Sequence, residues 1–246
     1  MKQLANKIAL VTGASRGIGR ATAVALAEAG AHIICLARTT GALEELDDEI
    51  KSKGGSATLV PCDLKDFDAL DRLGATIYER WGKLDIFVAN AGILGPISPL
   101  AHVDIKKFET VMAINVTANW RLIRSLDTLL TASDAGRAIF ISSGAAHSAK
   151  AYWGTYAISK AALEIMARTY ADEVSGISNT KVMIVNPGPL RTRMRQDAMP
   201  GEDPETLRTP DDLAPHIVKL ASQDWKETGK LYDFPSHKVL NFRYPA

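Results

Sequence analysis

Short apolar runs alternate with amphipathic segments along most of this chain. The runs at 7–12 (KIALVT), 32–37 (HIICLA), 56–60 (SATLV), 84–89 (LDIFVA), 137–142 (RAIFIS) and 181–185 (KVMIV) are brief and rich in β-branched side chains. Such continuous apolar stretches predict strands buried on both faces of a parallel sheet. Helical patterns separate them. An alanine-rich stretch runs to about Ala29; Leu43, Leu46 and Ile50 are spaced by three and four within 41–53; and further patterns cover 66–81 and 104–132. Helix-forming composition surrounds Tyr156, and Thr209-Pro210-Asp211-Asp212 reads as an N-cap opening a helix to about Ser222. A last short strand is predicted from Thr228 to Phe234. Strand and helix in strict alternation predict an α/β fold, a doubly wound parallel sheet of about seven strands with helices on both faces. Residues 1–246 read as one domain, with a polar stretch at about 192–208, broken by Pro200, Gly201 and Pro204, as a lid of short helices over a substrate.

Composition narrows the class. The 246 residues carry 29 basic and 28 acidic side chains, a formal net charge of +1, so no basic field asks for nucleic acid. No apolar stretch approaches membrane-spanning length, and the apolar run in MKQLANKIALVTG is too short for a signal peptide. Cys35 and Cys62 belong to no paired or metal-spaced cluster, and the five histidines are scattered. A reduced cytoplasmic protein with no metal is expected.

The first strand runs into Thr12-Gly13-Ala14-Ser15-Arg16-Gly17-Ile18-Gly19 and then a helix. Strand, glycine turn and helix in that order build a phosphate site from backbone N–H groups and a helix N-terminus. Folds that bind NAD place an acidic residue near the end of the second strand, against the ribose 2′-hydroxyl. That position here is Ala37, with Arg38 directly after it. Arg38 and Arg16 suit a 2′-phosphate, so NADP(H) is expected over NAD(H). Arg38 as a solvated loop residue is the alternative.

Tyr156 and Lys160 are four residues apart, one above the other on a helix face, and Ser143 precedes Tyr156 by thirteen. Carbonyl reduction needs a proton donor within reach of the oxygen. A free tyrosine is a weak acid–base catalyst near neutrality, and an adjacent ammonium favours its phenolate. A serine hydroxyl can donate a second hydrogen bond where negative charge develops.

The TGxxxGxG loop, Asn90-Ala91-Gly92, Asn115, the Ser143…Tyr156-x-x-x-Lys160 set and the Pro187-Gly188…Thr192 turn, in that order, resemble the short-chain dehydrogenase/reductase family. The resemblance implies a Rossmann-like oxidoreductase that exchanges hydride between NADP(H) and a carbonyl or secondary alcohol. It implies that Tyr156 donates the proton, Ser143 orients the carbonyl, Lys160 lowers the tyrosine pKa and holds the ribose, and Asn115 holds a water extending the relay. Gly13, Ser15, Arg16, Gly17, Ile18, Gly19 and Arg38 would hold the phosphates. Asp63, beside Leu64, would bind the adenine amino group, with a helix N-cap or strand-end turn as the alternative. Asn90, Ala91 and Gly92 would border the ribose, and Pro187, Gly188, Leu190 and Thr192 the carboxamide. A homodimer or homotetramer is implied through the 104–132 helix and the Tyr156 helix. The chain departs from the family's usual Val-Asp-Gly-Gly ending in its Tyr232–Ala246 segment, which leaves a dimer at least as well supported as a tetramer.

His147, Tyr152, Trp153, Met194 and Met199 are candidates for an apolar substrate wall, or for packing. An acyl-carrier-protein reductase is the alternative within the class, and an NADP(H)-binding sensor without turnover the alternative outside it.

Overall fold

The computed structural model describes residues 2–242. Its strands are β1 (Ile8–Thr12), β2 (His32–Ala37), β3 (Ser56–Pro61), β4 (Ile86–Ala89), β5 (Arg137–Ile141), β6 (Lys181–Asn186), β7 (Lys230–Asp233) and β8 (Lys238–Leu240). The helices are α1 (Gly17–Glu28), α2 (Thr40–Ser52), α3 (Phe67–Trp81), α4 (Ile105–Met112), α5 (Ala118–Thr131), α6 (Ala145–Ser148), α7 (Gly154–Ser175), α8 (Arg193–Ala198) and α9 (Pro210–Ala221). One sheet holds all eight strands in the order β3-β2-β1-β4-β5-β6-β7-β8.

The strands are buried because helices cover both faces. Ala9, Val11 and Ile33 point into one core, which α1, α2 and α9 complete; Leu10, Ile34 and Phe87 point into the other, against α3, α5 and α7. Alternate residues of each strand thus feed opposite cores. Each large aliphatic or aromatic side chain so buried contributes roughly 1.5–3 kcal/mol. Strand order reverses between β1 and β4, so the connections after these strands diverge and leave a crevice at their C-terminal ends.

Two features go beyond the sequence expectation. The expected seven strands gain an eighth: β8 pairs antiparallel with β7, pairing Leu231 with Leu240 and Asp233 with Lys238. The Tyr232–Ala246 segment therefore turns back on itself as a hairpin as far as it is described; Arg243–Ala246 lie outside the described residues. The 104–132 helix is also interrupted by a π-helical segment at Ala113–Thr117. A π turn accommodates an extra residue and frees a carbonyl from the ordinary ladder. Here the Asn115 carbonyl accepts from Asn119 Nδ2 at 2.8 Å. The Asn115 side chain is fully buried and committed: Nδ2 donates to the Ile93 carbonyl and to Ser159 Oγ, and Oδ1 accepts from the Ile93 N–H, each at 2.9 Å. An asparagine that costs helix propensity thus ties the chain after β4 to α7.

Among the described residues, no helix is long and apolar enough to cross a membrane, and no group of three or more His, Cys, Asp or Glu side chains is arranged to hold a metal. Both cysteines are unpaired.

Candidate active site

A cavity of about 980 Å³ occupies the crevice at the C-terminal ends of the strands. One side of it is the loop from β1 into α1. Gly13, Ser15, Arg16, Gly17 and Ile18 line it. Gly13 and Gly17 have φ of +66° and +55°, which only glycine adopts without strain. Gly19 does not line the cavity; it works by close approach, since a Cβ there would lie 2.2 Å from the Gly13 carbonyl oxygen. Arg16 is the N-cap of α1 and makes no side-chain capping bond, so the first-turn N–H groups are left for a ligand.

The β4 turn braces this loop. Asn90 Nδ2 donates to the Thr12 carbonyl at 2.8 Å, and Thr12 Oγ1 accepts from the N–H groups of Asn90 and Ala91, both at 3.1 Å. Asn90, Ala91 and Gly92 line the cavity, as do Arg38, Asp63 and Leu64 from the ends of β2 and β3. The Asp63 carboxylate also accepts from the Lys65 N–H at 2.9 Å, so the turn role and a cavity position coexist. The link from β2 to α2, Arg38 and Thr39, holds no acidic residue, and the nearby α2 carboxylates Glu45 and Glu49 pair with Arg20. On the far side, Pro187, Gly188, Leu190 and Thr192 leave β6 along the cavity wall. Thr192 also caps α8 by accepting from the Arg195 N–H. Pro235, at the β7–β8 turn, adds a wall that sequence analysis did not assign.

Ser143, Tyr156 and Lys160 all line this cavity. Ser143 follows β5, and Tyr156 and Lys160 share one face of α7. Tyr156 and Lys160 are 8% and 4% exposed. Lys160 Nζ donates to the Ile141 carbonyl at 2.7 Å and lies 5.8 Å from the centre of the Tyr156 ring. An ammonium has three donors, so two remain for the hydroxyls of a ribose. Gly92 lies between this ammonium and Asn115: a Cβ on it would meet Asn115 Oδ1 at 3.2 Å and Lys160 Nζ at 3.5 Å. Asn115 stands behind the cavity rather than lining it.

The electrostatics differ from what the Tyr–Lys spacing suggested. Burial pushes the Tyr156 phenol up to about 12, against a smaller opposite effect of its hydrogen bond with Ser143. Burial also lowers Lys160 to about 8, partly offset by the Glu164 carboxylate. Desolvation penalises the charged form of each group, so with the ammonium 5.8 Å from the ring centre burial sets the direction of both shifts. Tyr156 is a protonated phenol across the neutral range.

The substrate wall is only partly as expected. Trp153 and Met194 line the cavity, and Ile93 and Leu94 join them. His147, Tyr152 and Met199 do not. His147 turns to Glu164, its Nε2 2.9 Å from Oε2, and Tyr152 is exposed with φ +73°. The 192–208 stretch forms α8 and a short 3₁₀ turn at Pro204–Thr206. Arg191 pairs with Glu205, Arg193 with Asp197 and Arg195 with Glu202, while Arg208 lies against His237 and the Phe234 ring.

The family profile for short chain dehydrogenases matches residues 7–203. The chain belongs to the short-chain dehydrogenase family. An uncharacterised oxidoreductase of Escherichia coli K12, YciK, is 37% identical over 237 residues, covering 94% of this chain and 92% of YciK. A short-chain dehydrogenase from Salmonella enterica superimposes with a TM-score of 0.91 at 37% identity, covering 94% of this chain and 97% of that one. A protein from Escherichia coli CFT073 solved with NADPH gives 0.88 at 36% identity, with 94% and 98% covered. Other relatives include both NADPH-dependent and NAD-dependent oxidoreductases. This short-chain dehydrogenase is accordingly an NAD(P)-dependent oxidoreductase acting on CH–OH groups.

The cavity fits such a dinucleotide. Its glycine loop presents backbone at Gly13 and Gly17 without a Cβ, Arg16 and Arg38 stand beside it, and its buried lysine has free donors.

Proposed function

We propose that this enzyme reduces an apolar or ring-bearing carbonyl compound to a secondary alcohol with NADPH. The observation that carries the reading is a buried Tyr156 that lines one cavity with Ser143, one turn from Lys160 and opposite the turn after β6. When bound, NADPH supplies the hydride that forms the new C–H bond. Tyr156 Oη gives its proton to the carbonyl oxygen as the C=O π bond breaks, and Ser143 Oγ donates a hydrogen bond to the same oxygen. Lys160 holds the ribose and compensates the phenolate left on Tyr156. Asn115 anchors the turn beside Lys160 and the relay that returns the proton. Gly13 to Gly19 hold the pyrophosphate, Asp63 and Leu64 the adenine, Asn90 to Gly92 the ribose, and Pro187 to Thr192 the carboxamide. Met194, Trp153 and Leu94 supply the apolar wall.

The test is NADPH consumption across a panel of 3-oxoacyl thioesters, cyclic and aromatic ketones, quinones and sugars, with Tyr156→Phe as blank. Turnover on one group, absent from the blank, is expected. NADPH binding with silence on every carbonyl would sink the reductase reading in favour of a sensor. Arg191, Arg193 and Arg195 are paired with carboxylates rather than left for an acidic carrier protein, so free ketones are expected to outpace carrier-bound acyl groups.

Preference for NADPH over NADH rests on Arg38 and Arg16. Arg38→Asp removes a cation and places a carboxylate by the 2′-hydroxyl. The NADPH/NADH ratio of kcat/KM is expected to fall by at least about tenfold, the equivalent of one charge-assisted hydrogen bond; an unmoved ratio would exclude Arg38 as the phosphate ligand.

The same reading places the protein in the cytoplasm, as suits its two free thiols, and as a homodimer or homotetramer. Exposed Ile105, Trp120, Ile158 and Ile165 on α4, α5 and α7 suit self-association. A light-scattering mass equal to the 26.5 kDa monomer would refute this part.

A further inference from the structure

Glu164 is the one acidic side chain of α7 that is buried, at 4% exposure, and no expectation from the sequence involved it. It follows Tyr156 and Lys160 on the same face, a turn beyond the lysine. Its Oε1 accepts from Ser142 Oγ at 2.5 Å, and its carboxylate meets His147 Nε2 at 2.9 Å. Ser142 and His147 bracket the Ser143 segment, one immediately before it and one on α6 after it. One carboxylate thus grips both ends of the segment that carries Ser143, from the helix that carries Tyr156 and Lys160.

A buried carboxylate is costly unless paired and hydrogen-bonded. The groups that reach it are the Ser142 hydroxyl at the end of β5, the imidazole of His147 on α6, and, through the field, the Lys160 ammonium on α7. Arg168, one turn further along α7, lies over the Phe242 ring, which also flanks His147. The imidazole is 48% exposed in its side chain and closes the carboxylate off from solvent.

We propose that Glu164 is a positioning residue for the reductase reaction, fixing the Ser143 segment through Ser142 and His147 from a place one helical turn beyond Lys160 on the same face of α7. The inference rests on the reductase reading for the reaction it serves. It acts in two ways. Geometrically, it sets the distance between Ser143 and Tyr156, which must converge on one oxygen. Electrostatically, it favours the protonated Lys160.

Glu164→Gln tests both, because the amide keeps the shape and an acceptor for Ser142 while losing the charge. The kcat for carbonyl reduction is expected to fall about tenfold or more, as for a misplaced catalytic group, with the KM for NADPH at pH 7 little changed. The readout that a merely structural role would not move is the pH dependence of NADPH binding, followed by cofactor fluorescence without substrate. Lys160 binds the ribose only while protonated, so affinity falls as pH rises through its titration. Without the carboxylate, Lys160 loses its proton earlier, and this alkaline limb is expected to move to lower pH by about half a unit or more. Tyr156→Phe is expected to keep the wild-type limb. Should the glutamine variant fail to fold, Glu164→Asp, with its charge withdrawn by one methylene, is expected to shift the limb in the same direction. A limb left at its wild-type pH in whichever variant folds overturns the proposal. Absence of wild-type turnover on every carbonyl would instead sink the reductase reading, and the binding limb would still decide the link between Glu164 and Lys160.

Discussion

Tyr156→Phe is expected to lower kcat by about two to four orders of magnitude, the usual contribution of a positioned general acid. In the proposed reaction the phenol delivers the proton to the carbonyl oxygen. Ser143 donates a hydrogen bond to that oxygen, and the Lys160 ammonium is engaged by the Ile141 carbonyl and, in that reading, by the ribose. Removing one hydroxyl from a ring that stays in place leaves no large void, so NADPH affinity and Tm should remain close to wild type. Stopped-flow reduction and a fluorescence titration separate the two quantities. A variant keeping more than about a tenth of the activity would show that the proton comes from elsewhere, because that loss is smaller than general-acid catalysis supplies. Burial sets the direction in which this acid works. A phenol pushed up to about 12 is protonated at neutral pH, ready for reduction, whereas alcohol oxidation needs it deprotonated first. Oxidation is therefore expected to accelerate as the pH is raised, and reduction to stay flat until Lys160 titrates.

Gly19→Ala should be the most damaging single methyl in the cofactor loop. The added Cβ would lie 2.2 Å from the Gly13 carbonyl oxygen and 2.5 Å from Asn90 Nδ2. The first neighbour is backbone, and the second is the amide that clamps the loop to the β4 turn through the Thr12 carbonyl at 2.8 Å. Neither can yield without opening that clamp. Overpacking of this kind costs about 3 kcal/mol, which for a chain of this size lowers Tm by roughly 6–12 °C. If the loop shifts to relieve the clash, the same cost reappears as weaker NADPH binding, by about a hundredfold. Thermal melts with and without NADPH distinguish the two routes. An unchanged melting temperature together with unchanged affinity would mean that the loop is not packed as described.

Much of the fold could be read along the chain because its signals are local. Strand β2 falls on the residues its apolar run predicted, and α3 begins after Asp66, whose side chain accepts from the Ala69 N–H as an N-cap should. Helix α9 begins at Pro210 behind a Thr209–Asp212 capping box. A glycine loop between a strand and a helix needs only neighbouring residues to define it, and Gly13, Ser15 to Ile18, Asn90 to Gly92 and Pro187 to Thr192 all line one cavity.

What the sequence could not determine depended on contacts between distant segments. β8 has three residues and a weak pattern, and exists because β7 offers it an edge. The π turn at Ala113–Thr117 depends on what Asn115 meets across the fold, namely Ile93 and Ser159. His147 read as a pocket residue because it stands in the right loop, yet a carboxylate 17 positions away draws it elsewhere. The pKa directions of Tyr156 and Lys160 were hidden for the same reason. Spacing along a helix says which groups are neighbours, but desolvation depends on everything packed around them, and here it outweighs their mutual attraction. Local chain chemistry determined the elements, the glycine loop after β1 and the candidate Ser143, Tyr156 and Lys160 set. Tertiary packing alone decided their protonation, the committed asparagine and the buried Glu164, because burial and long-range hydrogen bonds belong to the assembled fold.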